Sequence, residues 1–70
     1  MVKITLGEDL DVELVKERLV QMGYERMGVV EARGEYSIRG GIIDIYTPDG
    51  EYPYRIELFG TEVDSIRTFN

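Results

Sequence analysis

The side chains able to do chemistry in this chain are guanidinium and carboxylate groups. The 70 residues carry 14 Asp and Glu against 8 Lys and Arg, with no histidine and no cysteine. Five arginines, Arg26, Arg33, Arg39, Arg55 and Arg67, follow residue 25, and no lysine occurs after Lys16. A guanidinium presents a rigid, bidentate donor fork that suits carboxylates on another protein. Taken singly, each arginine is equally an ordinary solvated strand-face residue of small energetic weight. Carboxylate pairs such as Asp44 with Glu57, or Glu62 with Asp64, have the elements of acid–base chemistry. That chemistry needs environments that push the two pKa values apart, and the neighbouring arginines point to surface pairing instead. Without histidine the commonest general base, metal ligand and neutral-pH switch is missing. Asp9, Asp11 and Glu13 start like a calcium loop but lack its central glycine and distal glutamate. Gly40-Gly41 belongs to no phosphate-binding loop pattern, and a single RGG inside an alternating stretch reads as a turn rather than an RNA-binding tail. No catalytic, cofactor-binding or metal-ligating residue is assigned.

Composition narrows the class further. A net charge of −6 opposes nucleic-acid binding, which leaves a basic footprint. The absence of cysteine suits an intracellular, cytoplasmic setting. No apolar run approaches the ~20 residues of a membrane span, and Met1-Val2-Lys3 does not open a signal peptide. Seventy residues make one domain, 1–70, expected to be a monomer and to bury only ~60% of its unfolded surface.

The elements that must position these groups centre on residues 34–46. Tyr36 and Ile38, then Ile43 and Ile45, alternate with polar neighbours as half-buried strands do. Gly40-Gly41 between them suits a two-residue hairpin turn. Upstream, Val2 to Leu6 alternates and predicts a short opening strand. Asp11 is a helix N-cap candidate, with Leu10 placed to staple onto Val15. Val12, Val15, Leu19 and Met22 share one helical face, and Gly23 ends the helix in a left-handed cap. Tyr24 to Val30 predicts extended chain. Thr47-Pro48-Asp49-Gly50 is a turn, Tyr54 to Phe59 a strand, Gly60-Thr61 a second turn, and Val63 to Phe69 a last strand or tail.

Short connections favour antiparallel neighbours. The expected fold is therefore α+β and two-layered: one main helix packed on a mostly antiparallel sheet of five or six strands. The helix stripe is expected on Ile4, Ile43, Ile45, Ile56 and Leu58. The opposite face is expected to be open and to carry Asp44, Tyr46, Arg55, Glu57 and Phe59. Arginine, tyrosine and carboxylate together have the composition of a partner-binding surface, although a sheet with one wet face alternates in the same way.

The segments "RGEYSIRGGIIDIY" and "YPYRIELFGTEVDSIRTF", with "LGEDLDVELVKERLVQMGYER" before them, cover nearly the whole chain. They resemble the small domain that bacterial transcription-repair coupling factors share with the excinuclease B subunit. "GGIIDI" and "DSIRTF" favour the coupling-factor branch over the B subunit. The resemblance implies a non-catalytic docking domain of transcription-coupled nucleotide excision repair. Its implied partner is the excinuclease A subunit (UvrA), and no cofactor is implied. The parent implied is a longer ATP-dependent translocase, so residues 1–70 are expected to be one piece of it. Arg26, Arg39, Arg55 and Glu57 match family positions implicated in docking. Tyr46 stands where the family often has phenylalanine. Ser37 departs from the B subunit, which has a further arginine there. The alternatives are a nucleic-acid-binding accessory domain using the same arginines, the same domain type from excinuclease B, and a related docking domain of cell-envelope penicillin-binding proteins, which should follow a membrane anchor.

Overall fold

The helix begins where a carboxylate can satisfy it. In the computed structural model, which describes residues 3–70, Asp11 is extended and its Oδ1 accepts from the Leu14 N–H at 3.1 Å. Helix α1 (Val12–Gln21) follows, with Glu13 in its first turn at the positive end of the helix dipole. Gly23, at φ 90°, closes it. The Tyr24 N–H reaches back to the Leu19 carbonyl at 2.9 Å and the Gly23 N–H to Val20 at 3.0 Å, the paired bonds of a Schellman cap.

Five strands form one sheet in chain order: β1 (Glu25–Arg26), β2 (Glu35–Arg39), β3 (Ile42–Ile45), β4 (Tyr54–Phe59) and β5 (Glu62–Thr68). β2 to β5 are antiparallel neighbours, whereas β1 pairs parallel with β2. The expected α+β architecture is therefore present, with five strands. Both tight hairpins turn on a glycine. Gly40 (φ 58°) and Gly60 (φ 63°) take positive φ at the first turn residue, the position type II′ turns reserve for glycine. Gly41 is needed for another reason. A Cβ there would lie 3.2 Å from the Leu58 carbonyl oxygen of β4.

Val15 and Leu19 of α1 pack on Tyr36, Ile43, Ile45, Ile56 and Val63, with Ile4, Leu10, Val12, Tyr24, Ile38 and Leu58 around them. A bulge explains the three-residue spacing of Val63 and Ile66. Glu57 pairs with Ser65 but Leu58 pairs with Val63, leaving Asp64 as the extra residue of β5. That single insertion lets Val63 face the core while Ile66, opposite Ile56, faces the same side.

Three expectations need correction. Lys3 to Leu6 forms no strand, and Val2 lies outside the described residues. The chain instead turns at Thr5–Glu8 and then joins the β5 edge: Gly7 N–H donates to Val63, Val63 N–H to Glu8, and Leu10 N–H to Thr61. The stretch Tyr24 to Val30 is extended only at Glu25–Arg26. A parallel pair cannot be joined by a hairpin, so residues 27–34 form a crossover back to the start of β2. Finally, the sheet face away from the helix is only partly open. Ser37 alternates with the core residues Tyr36 and Ile38, so it points to that far face. Its hydroxyl donates to the Gly28 carbonyl at 3.2 Å, which puts the crossover there, over β2.

Candidate functional site

The far face of the sheet holds the polar chemistry of the chain, in three rows set by strand register. Ser37, Asp44, Arg55 and Arg67 are successive cross-strand partners in the middle row. Arg39, Ile42, Glu57 and Ser65 form the next row toward the hairpin tips. Tyr46 and Phe69 lie at the opposite end, next to Glu35 and Pro53 respectively.

Asp44 is the centre of this face and, contrary to expectation, is buried, at 3% exposure. A buried carboxylate must be paired. Arg55 supplies a two-pronged partner, Nε to Oδ1 at 2.9 Å and Nη2 to Oδ2 at 3.0 Å. The same guanidinium lies 4.4 Å from the Phe69 ring centroid, so it is held in its plane by Asp44 and on its face by an aromatic ring. The hydrogen bond to Asp44 raises the Arg55 pKa further above its ordinary value. Arg55 therefore stays charged, and its orientation is fixed by groups of its own chain.

Arg67 stands directly across from Arg55, an arrangement that would repel if both charges were bare. Each has its own counter-charge. Arg67 bridges to Glu57 diagonally across the strands, and Ser65 Oγ donates to the same Glu57 oxygen at 3.2 Å. Arg39 is the least satisfied of the three. Its Nη2 is 3.7 Å from Asp44 Oδ2, beyond hydrogen-bond distance, and its side chain is 54% exposed.

Tyr46 is pinned at the other end. Its hydroxyl donates to the Glu51 carbonyl at 3.1 Å, and Arg33 lies over its ring at 5.8 Å while donating to Gly50 at 2.8 Å. Glu35 secures the crossover from beneath, its Oε1 accepting from the N–H groups of Glu31 and Ala32 at 2.8 and 2.9 Å.

The sheet thus brings Arg39, Arg55, Glu57 and Tyr46 to one face. Arg26 is elsewhere. It pairs in register with the core residue Tyr36 on the edge strand β1, and it lines a shallow depression with Glu13, Lys16 and Glu17 of the helix. Beyond that backbone pairing, its side chain makes a long contact with β2, 3.5 Å from Nη2 to the Ile38 carbonyl. Sequence reasoning passed over Arg67 and Phe69 as site residues. A period of two would have put Arg67 with Ser65 and Phe69, but nothing in the sequence marked the bulge at Asp64 that fixes the face. Ser37 is fully buried beneath the crossover. An arginine at that position has no room while Gly28 sits over it.

Among the described residues no cluster of three or more carboxylates is arranged to hold a metal ion, and no helix is long and apolar enough to cross a membrane. The UvrB interaction domain pattern matches residues 2–70. The chain belongs to the UvrB interaction domain family. It is 60% identical over 67 residues to the transcription-repair-coupling factor of Bacillus subtilis (strain 168), a match covering 96% of this chain. It is 56% identical over 69 residues, or 99% of the chain, to that of Staphylococcus haemolyticus (strain JCSC1435). It is 57% identical over 67 residues to that of Staphylococcus aureus (strain USA300). The chain spans 6% of the length of each of these relatives. It is a small interaction domain of the DNA-repair factor class.

Proposed function

We propose that this chain is the docking module through which a transcription-repair coupling factor recruits the excinuclease A subunit, its 70 residues forming one domain of a longer, ATP-driven cytoplasmic protein. The docking surface is the far sheet face, with Arg39, Arg55, Glu57 and Tyr46 as contact residues and Arg26 as an outlying contact at the β1 edge. The observation that carries this reading is Arg55, a guanidinium fixed by the buried Asp44 and by Phe69 beside the exposed Arg39. Preorganised arginine costs less ordering on binding, and arginine with aromatic neighbours is the composition of binding hot spots. The chain bears no catalytic role in this reading; the parent's ATPase lies outside it.

The test is calorimetric titration of the 70-residue chain with purified excinuclease A subunit. Arg39→Glu and Arg67→Glu are the informative reversals, since both side chains are mostly exposed. Arg55→Glu would set a second carboxylate against buried Asp44 and threaten the fold itself. The expected result is binding by the wild type, weakened about tenfold or more by Arg39→Glu. No binding at low or moderate salt refutes the proposal. Strong, steeply salt-dependent binding to duplex DNA would favour the nucleic-acid alternative instead.

A further inference from the structure

The outer edge of the sheet is uncovered along the C-terminal part of β5. This strand is last in the sheet order, with β4 on its inner side. The Phe69 N–H donates to the Pro53 carbonyl at 3.0 Å. Antiparallel pairs alternate between bonded and non-bonded, so Arg67 with Arg55 and Ser65 with Glu57 are the next bonded pairs. Ile66 and Thr68 therefore turn their N–H and C=O groups outward. On that outer side Gly7, Glu8 and Leu10 bond only to Thr61 and Val63. The Thr5–Glu8 turn then takes residues 3–5 out of the ladder. Among the described residues no backbone group bonds to Ile66 or Thr68 from outside. Such an edge is a template for a further strand.

An apolar groove opens beside the same edge. At the C-terminal end of α1 the helix side of the sheet is left uncovered, as a groove of about 540 Å³. Ile4, Met22, Tyr54 and Ile66 help to line it, together with Tyr24 and Asp49. Met22, Tyr54 and Ile66 stay exposed although they are large and apolar. Ile66 belongs to both features: its backbone faces the edge and its side chain the groove. A residue set directly opposite Ile66 on an added strand projects to the same side of the sheet, so its side chain would lie against the groove. This surface is on the helix side, separate from the far face that carries Arg39 and Arg55.

Charge and size select the occupant. Asp49, Glu62 and Asp64 have no cation within ion-pair distance among the described residues, and the net charge is −6. The added strand must therefore carry positive charge, which disfavours a second copy of this acidic chain. So short an edge also falls well below the ~1,000 Å² that an interface between separate molecules buries. A tethered segment does not need that area, because tethering gives it a high effective concentration. The chain spans only 6% of the length of its relatives, which leaves ample polypeptide to supply one. We propose that an extended segment of the parent polypeptide outside these 70 residues adds to β5 as a further edge strand, with an apolar side chain opposite Ile66 and a lysine or arginine for Asp64. The inference rests on the reading that the chain is one domain of a longer protein, and is independent of what docks on the far face.

Hydrogen exchange resolved to single amides, on the 70-residue chain and on the full-length factor that contains it, tests this. In the isolated chain Ile66 and Thr68 should exchange fast, while Arg67 and Phe69, bonded to β4, stay slow. In the full-length protein Ile66 and Thr68 should slow by about tenfold or more, with Arg67 and Phe69 changing less. Thr68→Pro removes only an outward N–H, a change that edge strands tolerate. It should melt like wild type as an isolated chain and return the Ile66 rate in the full-length protein to that of the isolated chain. Asp64→Lys, at an exposed side chain, should also melt like wild type and remove most of the protection. Equal Ile66 rates in the two wild-type proteins, or protection that survives Thr68→Pro, refute the added strand. Ile66 protection in the isolated chain that grows with concentration, together with a dimer in sedimentation, would assign the edge to a second copy and overturn the proposal. Titration with the excinuclease A subunit is a separate readout: if that binding is absent while Ile66 is protected, the docking reading falls and the added strand stands.

Discussion

Replacing Asp44 with asparagine tests whether the far face is built around a buried ion pair. The substitution keeps the shape of the side chain and removes its charge. An amide can offer Arg55 only one acceptor oxygen where the carboxylate offers two, at 2.9 and 3.0 Å. Hydrogen bonds to charged groups contribute about 1.5–3 kcal/mol each. The Asp44 side chain is 4% exposed, so water cannot replace what is lost on its side. Arg55 is 28% exposed and can recover part of its hydration. The net cost of losing the Asp44 charge is therefore nearer the lower end, about 2 kcal/mol. For a domain of this size each kcal/mol moves Tm by about 4–8 °C, so Asp44→Asn should melt roughly 8–16 °C below wild type. Circular dichroism during a reversible thermal scan reads this directly. The order of three further variants tests the cause. Arg55→Ala leaves a carboxylate buried without its partner, so it should be more damaging than Asp44→Ala, and the double substitution should be milder than Arg55→Ala alone. If Asp44→Asn melts within about 2 °C of wild type, the pair contributes little and the face is not held as argued.

Three other perturbations have firm expectations. Ile43 is fully buried at the centre of the sheet, so Ile43→Ala should cost about 2–5 kcal/mol, read as a lowered urea midpoint or as an unfolded chain at 25 °C. Asp11→Ala removes the acceptor of the Leu14 N–H and should cost about 1 kcal/mol, with loss of helical ellipticity as the readout. Burial, with the Asp49 carboxylate second, raises the Tyr24 phenol above its ordinary pKa. Its contribution is complete below the unfolded tyrosine value near 10 and is lost as pH rises through the folded one, because the unfolded chain then binds fewer protons. Tyr24→Phe should accordingly flatten the alkaline fall of Tm, and an unchanged slope would count against this assignment.

Much of the fold was legible because local chemistry and tertiary packing agree. Asp11 and Gly23 bound the helix in both readings, for stated hydrogen-bond reasons. The glycine turns, the Thr47–Gly50 turn and the alternation of residues 36–45 and 54–59 give the antiparallel core directly. What escaped is what local pattern cannot encode. A two-residue edge strand carries no periodicity, and its parallel pairing depends on where the crossover lands. Nothing in Met27 to Gly34 says which face of the sheet it will cover. The bulge at Asp64 is a one-residue insertion, silent in composition, that reassigns every later side chain of β5. The opening alternation around Ile4 resembles a strand, yet Ile4 serves as a core contact after which the chain turns at Thr5–Glu8.

These misses share a consequence for the site. Read from the sequence, Arg26, Arg39 and Arg55 are comparable docking arginines. Packing ranks them. The crossover that buries Ser37 and the strand order that buries Asp44 convert Arg55 into a structural cation with one free edge. Arg67 is occupied by Glu57, and Arg26 sits with the core residue Tyr36 at the helix-side edge. Arg39 alone among the far-face guanidiniums of β2, β4 and β5 lacks a partner within hydrogen-bond distance. A partner approaching this face gains most where the least is already satisfied, because a guanidinium that must first break a bond in its own chain offsets the bond it forms. In the docking reading proposed above, Arg55 and Asp44 set the stability and shape of the surface and Arg39 contributes to its affinity. Substitutions of Arg55 or Asp44 should therefore move Tm and binding together, and substitution of Arg39 should move binding alone.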